Sequence, residues 1–402
     1  MDRIVIVGAG VAGLRAAERL RELRFAGDIL VVGDERHRPY HRPPLSKAVL
    51  SGESALRDIL LPTYEPLWVQ WRTGVSALRL DPARHTVTLT GDEELRYDGL
   101  VIATGVAARR PAGIPWHDAR VHVLRTIEDA ASLRHDLIRR RGPVVIIGSG
   151  LTACETAAAV RRLGHPATLV CRAAPPLHNI LGSPLSARVM ALQQRNGVRV
   201  EVGTQVRDWA CGPDQIGLLL ADGRQLAAST VVVAAGSVPA VHWLRDSGLT
   251  LADGILCKPT CHAVGVTDIV AAGDVASWPN VRFTTRPHRV EHWINAVEMG
   301  RAAAENLLAG PARASYFQPL PRFWSEQFGV RLQAAGELNP TGAILGLHAP
   351  VSRASSVAYV TGDRLTGLVS WNDAGTYLDL SDDIARQHPV LPRETAITWT
   401  VR

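Results

Sequence analysis

At 402 residues, with 46% hydrophobic and 20% charged residues, the chain is too long for one ordinary core and too apolar to be disordered, so two or three domains are expected. Five cysteines, odd and sparse, exclude a disulfide framework and point to a reducing, cytoplasmic setting. The 44 basic and 38 acidic residues leave a net charge of +6, and all but Lys47 and Lys258 of the basic ones are arginine; this favours acidic partners, yet no basic run exceeds Arg139-Arg140-Arg141, so no nucleic-acid tail is present.

In chain order, the first signals are a strand, a glycine turn, a helix and a second strand. Ile4-Val5-Ile6-Val7 reads as a buried parallel strand and Gly8-Ala9-Gly10-Val11-Ala12-Gly13 as the turn. Leu14, Ala17, Leu20 and Leu23 mark a helix, and residues 28–34 return as a strand ending in Asp34. The apolar run from Ile4 to Leu14 is broken by three glycines and falls short of the ~18 residues of a spanning helix. It has no basic leader or cleavage site, so neither membrane insertion nor a signal peptide is expected. Asp34 follows Gly13 by 21 residues, close to the ~20 expected of a carboxylate that accepts from a ribose hydroxyl. The glycines make the turn, admit a pyrophosphate to the backbone and let helix and strand approach, while the helix N-terminus faces the phosphates.

Leu100-Val101-Ile102 is a further strand, ended by Ala103-Thr104-Gly105. The dinucleotide pattern then recurs: strand Val144-Val145-Ile146-Ile147, turn Gly148-Ser149-Gly150-Leu151-Thr152-Ala153, an alanine-rich helix and strand Ala167-Thr168-Leu169-Val170. Val231-Val232-Val233 is followed by the 234–239 turn, and Arg109-Arg110-Pro111 and Val238-Pro239-Ala240 read as paired crossings between domains. From Pro311 onward short alternating strands such as 356–360, with the turn Thr361-Gly362-Asp363, indicate a small α+β domain. The tail after Arg386 has no strong pattern. The expected fold class is α/β: two Rossmann-like dinucleotide-binding domains, the first from 1–113 with 240–310 and the second from 114–239, plus an α+β C-terminal domain over 311–402.

Beyond the two turns, five further motifs stand in order: Arg42-Pro43-Pro44-Leu45-Ser46-Lys47, preceded by Pro39-Tyr40; Leu124-Arg125-Thr126-Ile127-Glu128-Asp129-Ala130; 271–276, containing Gly273-Asp274; Glu291-His292-Trp293-Ile294-Asn295-Ala296; and Phe323-Trp324-Ser325-Glu326-Gln327. With these the chain resembles, from Arg3 to Leu380, the FAD-dependent ferredoxin and rubredoxin reductases of oxygenase systems, within the glutathione-reductase-like flavoproteins.

That resemblance implies FAD in the first dinucleotide domain, NADPH or NADH in the second, and an acidic iron–sulfur ferredoxin as acceptor, feeding an oxygenase. It implies FAD contacts from Gly8, Gly10, Ala12 and Gly13 to the pyrophosphate, Asp34 to the ribose and Val75 near the adenine. Arg125 and Asp274 approach the polar parts of the cofactor, and Lys47 and Trp293 the flavin. Lysine is otherwise almost unused here, and a compact ammonium stabilises charge on a reduced ring where a guanidinium fork does not fit. On the nicotinamide side the resemblance implies Gly148, Gly150, Ala153 in place of a third glycine, and Glu155 paired with Lys47. Cys171 stands where NADH-users carry an acid and Arg172 comes next, which leans the coenzyme towards NADPH. Arg301 and Trp324 are the expected partner-docking residues.

Absences narrow the chemistry. Disulfide reduction would need a flavin-side dithiol, and the sequence offers only Cys257-x-x-x-Cys261, on a stretch that looks peripheral. Neither a metal site nor an iron–sulfur signature is expected. Electrons therefore leave the flavin directly for an external acceptor. The rivals are an NAD(P)H-dependent flavoprotein oxidase or reductase acting on a small molecule, and a flavoprotein scaffold with its basic charge directed at nucleic acid.

Overall fold

The computed structural model describes residues 1–62, 67–346, 355–386 and 397–398. Two compact units partition the chain: Met1–His41, Ile59–Ala107 and Val238–Pro321 form the first, and Arg42–Asp58, Ala108–Ser237 and Arg322–Arg402 the second.

The first unit is built on a parallel five-stranded sheet in the order Ile269–Ala271, Gly99–Ile102, Arg3–Val7, Asp28–Gly33, Gln70–Thr73. Its central strands are continuous aliphatic runs, buried on both faces, as parallel strands covered by helices require. Helices Val11–Glu22 and Trp293–Ala309 pack on each other so closely that a Cβ at Gly300 would lie 2.3 Å from the Ala12 carbonyl oxygen. A three-stranded antiparallel sheet, 77–81, 86–89 and 94–96, and a small sheet of 251–252, 254–256 and 276–277 also belong to this unit.

In the second unit a parallel sheet runs Val198–Val202, Ala167–Cys171, Val144–Ile147, Thr230–Val233, Val121–His122, beside a small antiparallel sheet over 206–228. The C-terminal part is a six-stranded antiparallel sheet, ordered 322–327, 330–336, 364–371, 355–361, 343–346 and 397–398, with helix Ala374–Arg386. The architecture is the α/β class with two dinucleotide folds and an α+β C-terminal part.

The chain distributes itself differently from the expected division: residues 108–113 fall in the second unit and 238–239 in the first, residues 322–402 share the second unit with the second dinucleotide fold, and two longer stretches change sides. Residues 42–58, expected with the first dinucleotide domain, belong to the second unit. Their short helix Ala48–Ser51 packs against helices Ile127–Arg139 and Leu151–Arg162, and Leu50 is wholly buried in that core. Residues 311–321 stay with the first unit, held by Phe317 N–H to the Pro259 carbonyl and Asn280 Nδ2 to that of Pro319. The stretch carrying Cys257 and Cys261 is not peripheral, since both side chains lie in the first unit's core. The tail after Arg386 lies outside the described residues apart from 397–398.

Because Gly300 has no room for a Cβ, Gly300→Val forces backbone apart. It should destabilise the protein by about 2 kcal/mol or more, read as an earlier thermal transition; an unchanged melting profile would show that the helices do not make this contact in solution.

Candidate functional site

The two glycine turns obey one steric rule. At Gly8 (φ +122°) a Cβ would lie 2.1 Å from the Ala103 carbonyl oxygen, and at Gly148 (φ +147°) 2.2 Å from that of Ala234. Gly13 is likewise filled, 2.0 Å from the Gly8 carbonyl, whereas its counterpart Ala153 is a wholly buried methyl. Gly10 and Gly150 differ: an added Cβ would meet nothing within 4 Å. The protein's own packing gives no reason for glycine at these two positions, so the bare backbone is left for something outside the chain. Each is the N-cap of a 12-residue helix, with no side-chain cap and no acid in the first turn. By contrast, helix Ile127–Arg139 closes its N-terminus with a Thr126–Asp129 capping box. Uncapped amides beside bare glycine form an anion cradle, and both turns therefore fit the pyrophosphate of a dinucleotide.

Strand register sets which side chains emerge beyond each turn. The Gly8 N–H donates to the Val32 carbonyl and the Gly148 N–H to that of Val170, while Val7 pairs with Val32 and Ile147 with Val170. Two residues beyond lie Asp34 in the first fold and Arg172 in the second, both exposed. Cys171 takes the place of Gly33, fully buried, its Sγ 3.7 Å from the Gly148 carbonyl oxygen. The expectation that Cys171 itself lines the ribose is thereby corrected: its thiol is sealed behind the turn, and Arg172 is the side chain presented there.

The other expected first-unit residues take varied places. Ala12 is buried under Gly300 and Gly273, so it serves helix packing rather than an open surface. The Val75 N–H is taken by the Gly33 carbonyl, which leaves only its carbonyl side for a ligand. Asp274 lies half-buried in the turn 273–275, its carbonyl accepting from Arg289. Trp293 opens the helix Trp293–Ala309, with its ring 4.6 Å from that of His41 and tilted 61° to it. Arg301 is engaged by Glu22 through two bonds of 2.9 and 2.6 Å, with Arg19 bridging Glu22 and Glu305, so its charge is paired between the two helices at the surface.

In the second unit, Arg125 precedes the Thr126 cap, with its N–H on the Asp129 carboxylate and its carbonyl accepting from Arg42. Trp324 is half-buried on the strand Arg322–Gln327. The sharpest convergence is around Glu155. The Lys47 Nζ lies 2.6 Å from Glu155 Oε2 and also donates to the Pro43 carbonyl at 3.0 Å. Ser46 Oγ donates to the same carboxylate oxygen at 2.6 Å, and Ser325 Oγ to Oε1 at 2.7 Å. Lys47 and Glu155 are largely removed from solvent, with side chains 16% and 5% exposed. A pair this buried is worth keeping only when every charge is answered, as it is here. Sequence reasoning missed Ser46 and Ser325, although both lie inside motifs it singled out; hydroxyls there carry no periodicity or charge signal.

Four of the five thiols are buried; burial pushes Cys171 and Cys257 up to about 12 and raises Cys154 and Cys261 as well. Only Cys211 is exposed. Among the described residues, no three His, Cys, Asp or Glu side chains cluster to hold a metal, and no helix is long and apolar enough to cross a membrane.

Comparison with known proteins agrees with this geometry. Residues 2–300 match the family model described as pyridine nucleotide-disulphide oxidoreductase, and residues 322–397 the one described as reductase C-terminal. The chain belongs to the pyridine nucleotide-disulphide oxidoreductase family, whose members are oxidoreductases that use FAD and NAD(P). It is 35% identical to the ferredoxin–NAD(+) reductase component of the p-cumate 2,3-dioxygenase system of Pseudomonas putida, over 84% of this chain and 82% of that one. It is 31% identical to putidaredoxin reductase of Pseudomonas putida, covering 97% and 93%. Among solved structures, the covalent putidaredoxin reductase–putidaredoxin complex superposes with a TM-score of 0.91 at 30% identity, over 97% of this chain and 94% of that one.

Thiol accessibility gives a direct test of the site. A maleimide at pH 8 should modify one cysteine of the native protein, Cys211, and all five after unfolding, with NAD(P)H-dependent electron transfer retained by the native adduct. Activity lost in step with modification of a buried thiol, with FAD still bound, would place a reactive cysteine in the electron path.

Proposed function

We propose that the chain is an FAD-dependent NAD(P)H:ferredoxin reductase, passing electrons from NAD(P)H through FAD to a small, acidic iron–sulfur ferredoxin that feeds an oxygenase. The observation that carries this reading is the pair of bare, uncapped glycine turns, one per unit, in a chain without a dithiol. Two dinucleotides can be held, and no thiol relay stands between them and an acceptor. The names of the relatives support the same reading, and we place the protein in the cytoplasm on its unpaired cysteines.

Bound FAD supplies the chemistry of taking two electrons as hydride and releasing them singly; one NAD(P)H thus reduces two ferredoxins and liberates one proton. What the chain contributes is placement. Gly10, with the amides opening the helix Val11–Glu22, would hold the FAD pyrophosphate in a turn shaped by Gly8 and Gly13, and Asp34 would accept from its ribose. Gly148 and Gly150 do the same for the coenzyme. Lys47, anchored by Glu155, would present an ammonium to the flavin, Trp293 would lie by its ring, Arg125 and Asp274 would meet the cofactor's polar parts, and the Val75 carbonyl would lie near its adenine. No side chain is required as general acid, base or nucleophile. Trp324 remains the residue proposed to meet the ferredoxin, without Arg301.

Rapid reduction of cytochrome c that requires added ferredoxin, and that weakens with salt as an acidic partner's steering is screened, would support this assignment. Fast peroxide formation without any carrier would replace it with an oxidase.

We further infer that Arg172, in the register position of Asp34, lets the coenzyme site accept a 2′-phosphate and so use NADPH. Arg172→Ala should raise KM for NADPH about tenfold, the scale of one charge-assisted hydrogen bond to phosphate, with KM for NADH little changed. Equal effects on both coenzymes would show that Arg172 does not read the 2′ position.

A further inference from the structure

The Lys47–Glu155 pair rests on a chain of buried amides and hydroxyls reaching back into the C-terminal sheet. Gln193 Nε2, on the helical segment that follows the kink at Gly182 and ends at Arg195, donates to Gln327 Oε1 at 2.8 Å and also to the Cys154 carbonyl at 3.1 Å. Gln327 Nε2 donates to Ser325 Oγ at 3.0 Å, and Ser325 Oγ donates to Glu155 Oε1 at 2.7 Å. Gln193 and Ser325 are completely buried, and Gln327 and Glu155 are 2% and 5% exposed.

Two features separate this arrangement from ordinary polar packing. The three bonds from Gln193 through Gln327 and Ser325 run in one sense and end on a carboxylate. Aligned bonds polarise one another in a low-dielectric interior, so the terminal bond is strengthened. Moreover, the chain passes through two carboxamides, which do not relay protons as hydroxyls and imidazoles do. The chain therefore orients and stabilises charge and carries no proton. Removing Ser325 would leave Glu155 Oε1 without its hydroxyl donor, while Ser46 and Lys47 still hold Oε2. The carboxylate would then be free to swing about χ3, and the ammonium bound to it would move as well.

We propose that Ser325, backed by Gln327 and Gln193, is a positioning residue that locks Glu155 and thereby fixes the Lys47 ammonium. The C-terminal sheet would thus act on the flavin's electronic environment through Glu155 without any of these three residues touching the cofactor. The proposal rests on the reading of Lys47 as a flavin-side group.

The composition supplies an internal reference for testing it, because Lys47 and Lys258 are the only lysines and Lys258 is exposed. The FAD-loaded protein and its variants are pulsed briefly with acetic anhydride. Acetylation of Lys47 relative to Lys258 is then read by mass spectrometry, and the midpoint potential of the bound flavin is measured in parallel. Glu155→Gln calibrates the full loss of the anchor. Ser325→Ala should raise the Lys47/Lys258 ratio roughly three- to tenfold, the scale of one ordinary net hydrogen bond, and should shift the potential in the same direction as Glu155→Gln. Ser325→Thr, which keeps the hydroxyl, should restore both. Gln327→Met should give a smaller change of the same sign, and stands in if Ser325→Ala fails to fold. A raised ratio in Glu155→Gln with wild-type values in both Ser325→Ala and Gln327→Met would overturn the proposal. Ratios that rise while the potential stays fixed in every variant, Glu155→Gln included, would support the clamp and overturn the flavin-side reading of Lys47.

Discussion

A carboxylate taken out of water must be answered on both oxygens, and around Glu155 that requirement organises much of the second unit. Lys47 and Ser46 arrive from the proline-rich turn over 42–47, Ser325 from the C-terminal sheet, and Glu155 itself from the helix after the second glycine turn. Segments more than a hundred residues apart are thus tied to one side chain. Removing one partner of so buried a pair costs about 3–5 kcal/mol, because the other charge stays behind unanswered. Residues 42–58 belong to the same unit as Glu155, so the pair is made within that unit.

A second constraint is the absence of side chains where ligands must come close. Gly8 and Gly148 are imposed by neighbouring carbonyls, but Gly10 and Gly150 answer to nothing inside the protein. The distinction separates glycines needed for folding from glycines kept for binding, and the uncapped helix after each of the latter points to the same use. At Thr126, by contrast, the chain caps the helix with its own side chains.

Charge is used differently on the surface. Arg19, Glu22, Arg301 and Glu305 share one lattice between the two helices, where bonds from both guanidinium groups hold the Glu22 carboxylate down to about 2. These side chains are partly exposed, so their mutual attraction is screened and modest. Their effect here is to pair Arg301 with Glu22 across the two helices while both side chains stay partly exposed. A net charge read from composition says nothing about which arginines are already spent.

What the sequence alone determined is what depends on local periodicity and on backbone rules. The aliphatic runs at 4–7, 100–102, 144–147 and 231–233, both glycine turns, and the 361–363 hairpin turn were all legible, since each is specified within a few residues. Lys47 stood out through its rarity, and its pairing with Glu155 through family resemblance. Only the tertiary structure decided the rest. It sealed Cys171 behind Gly148 and put Arg172 in register with Asp34, because strand pairing, not distance from a motif, sets which residue emerges from a sheet. It paired Arg301 with Glu22 across two helices and placed Cys257 and Cys261 in a core, because neither burial nor ion pairing with a residue far away in the chain leaves a local signal. It made Ser325, Gln327 and Gln193 one chain, because a hydrogen-bond direction exists only once donors and acceptors from separate elements are packed together.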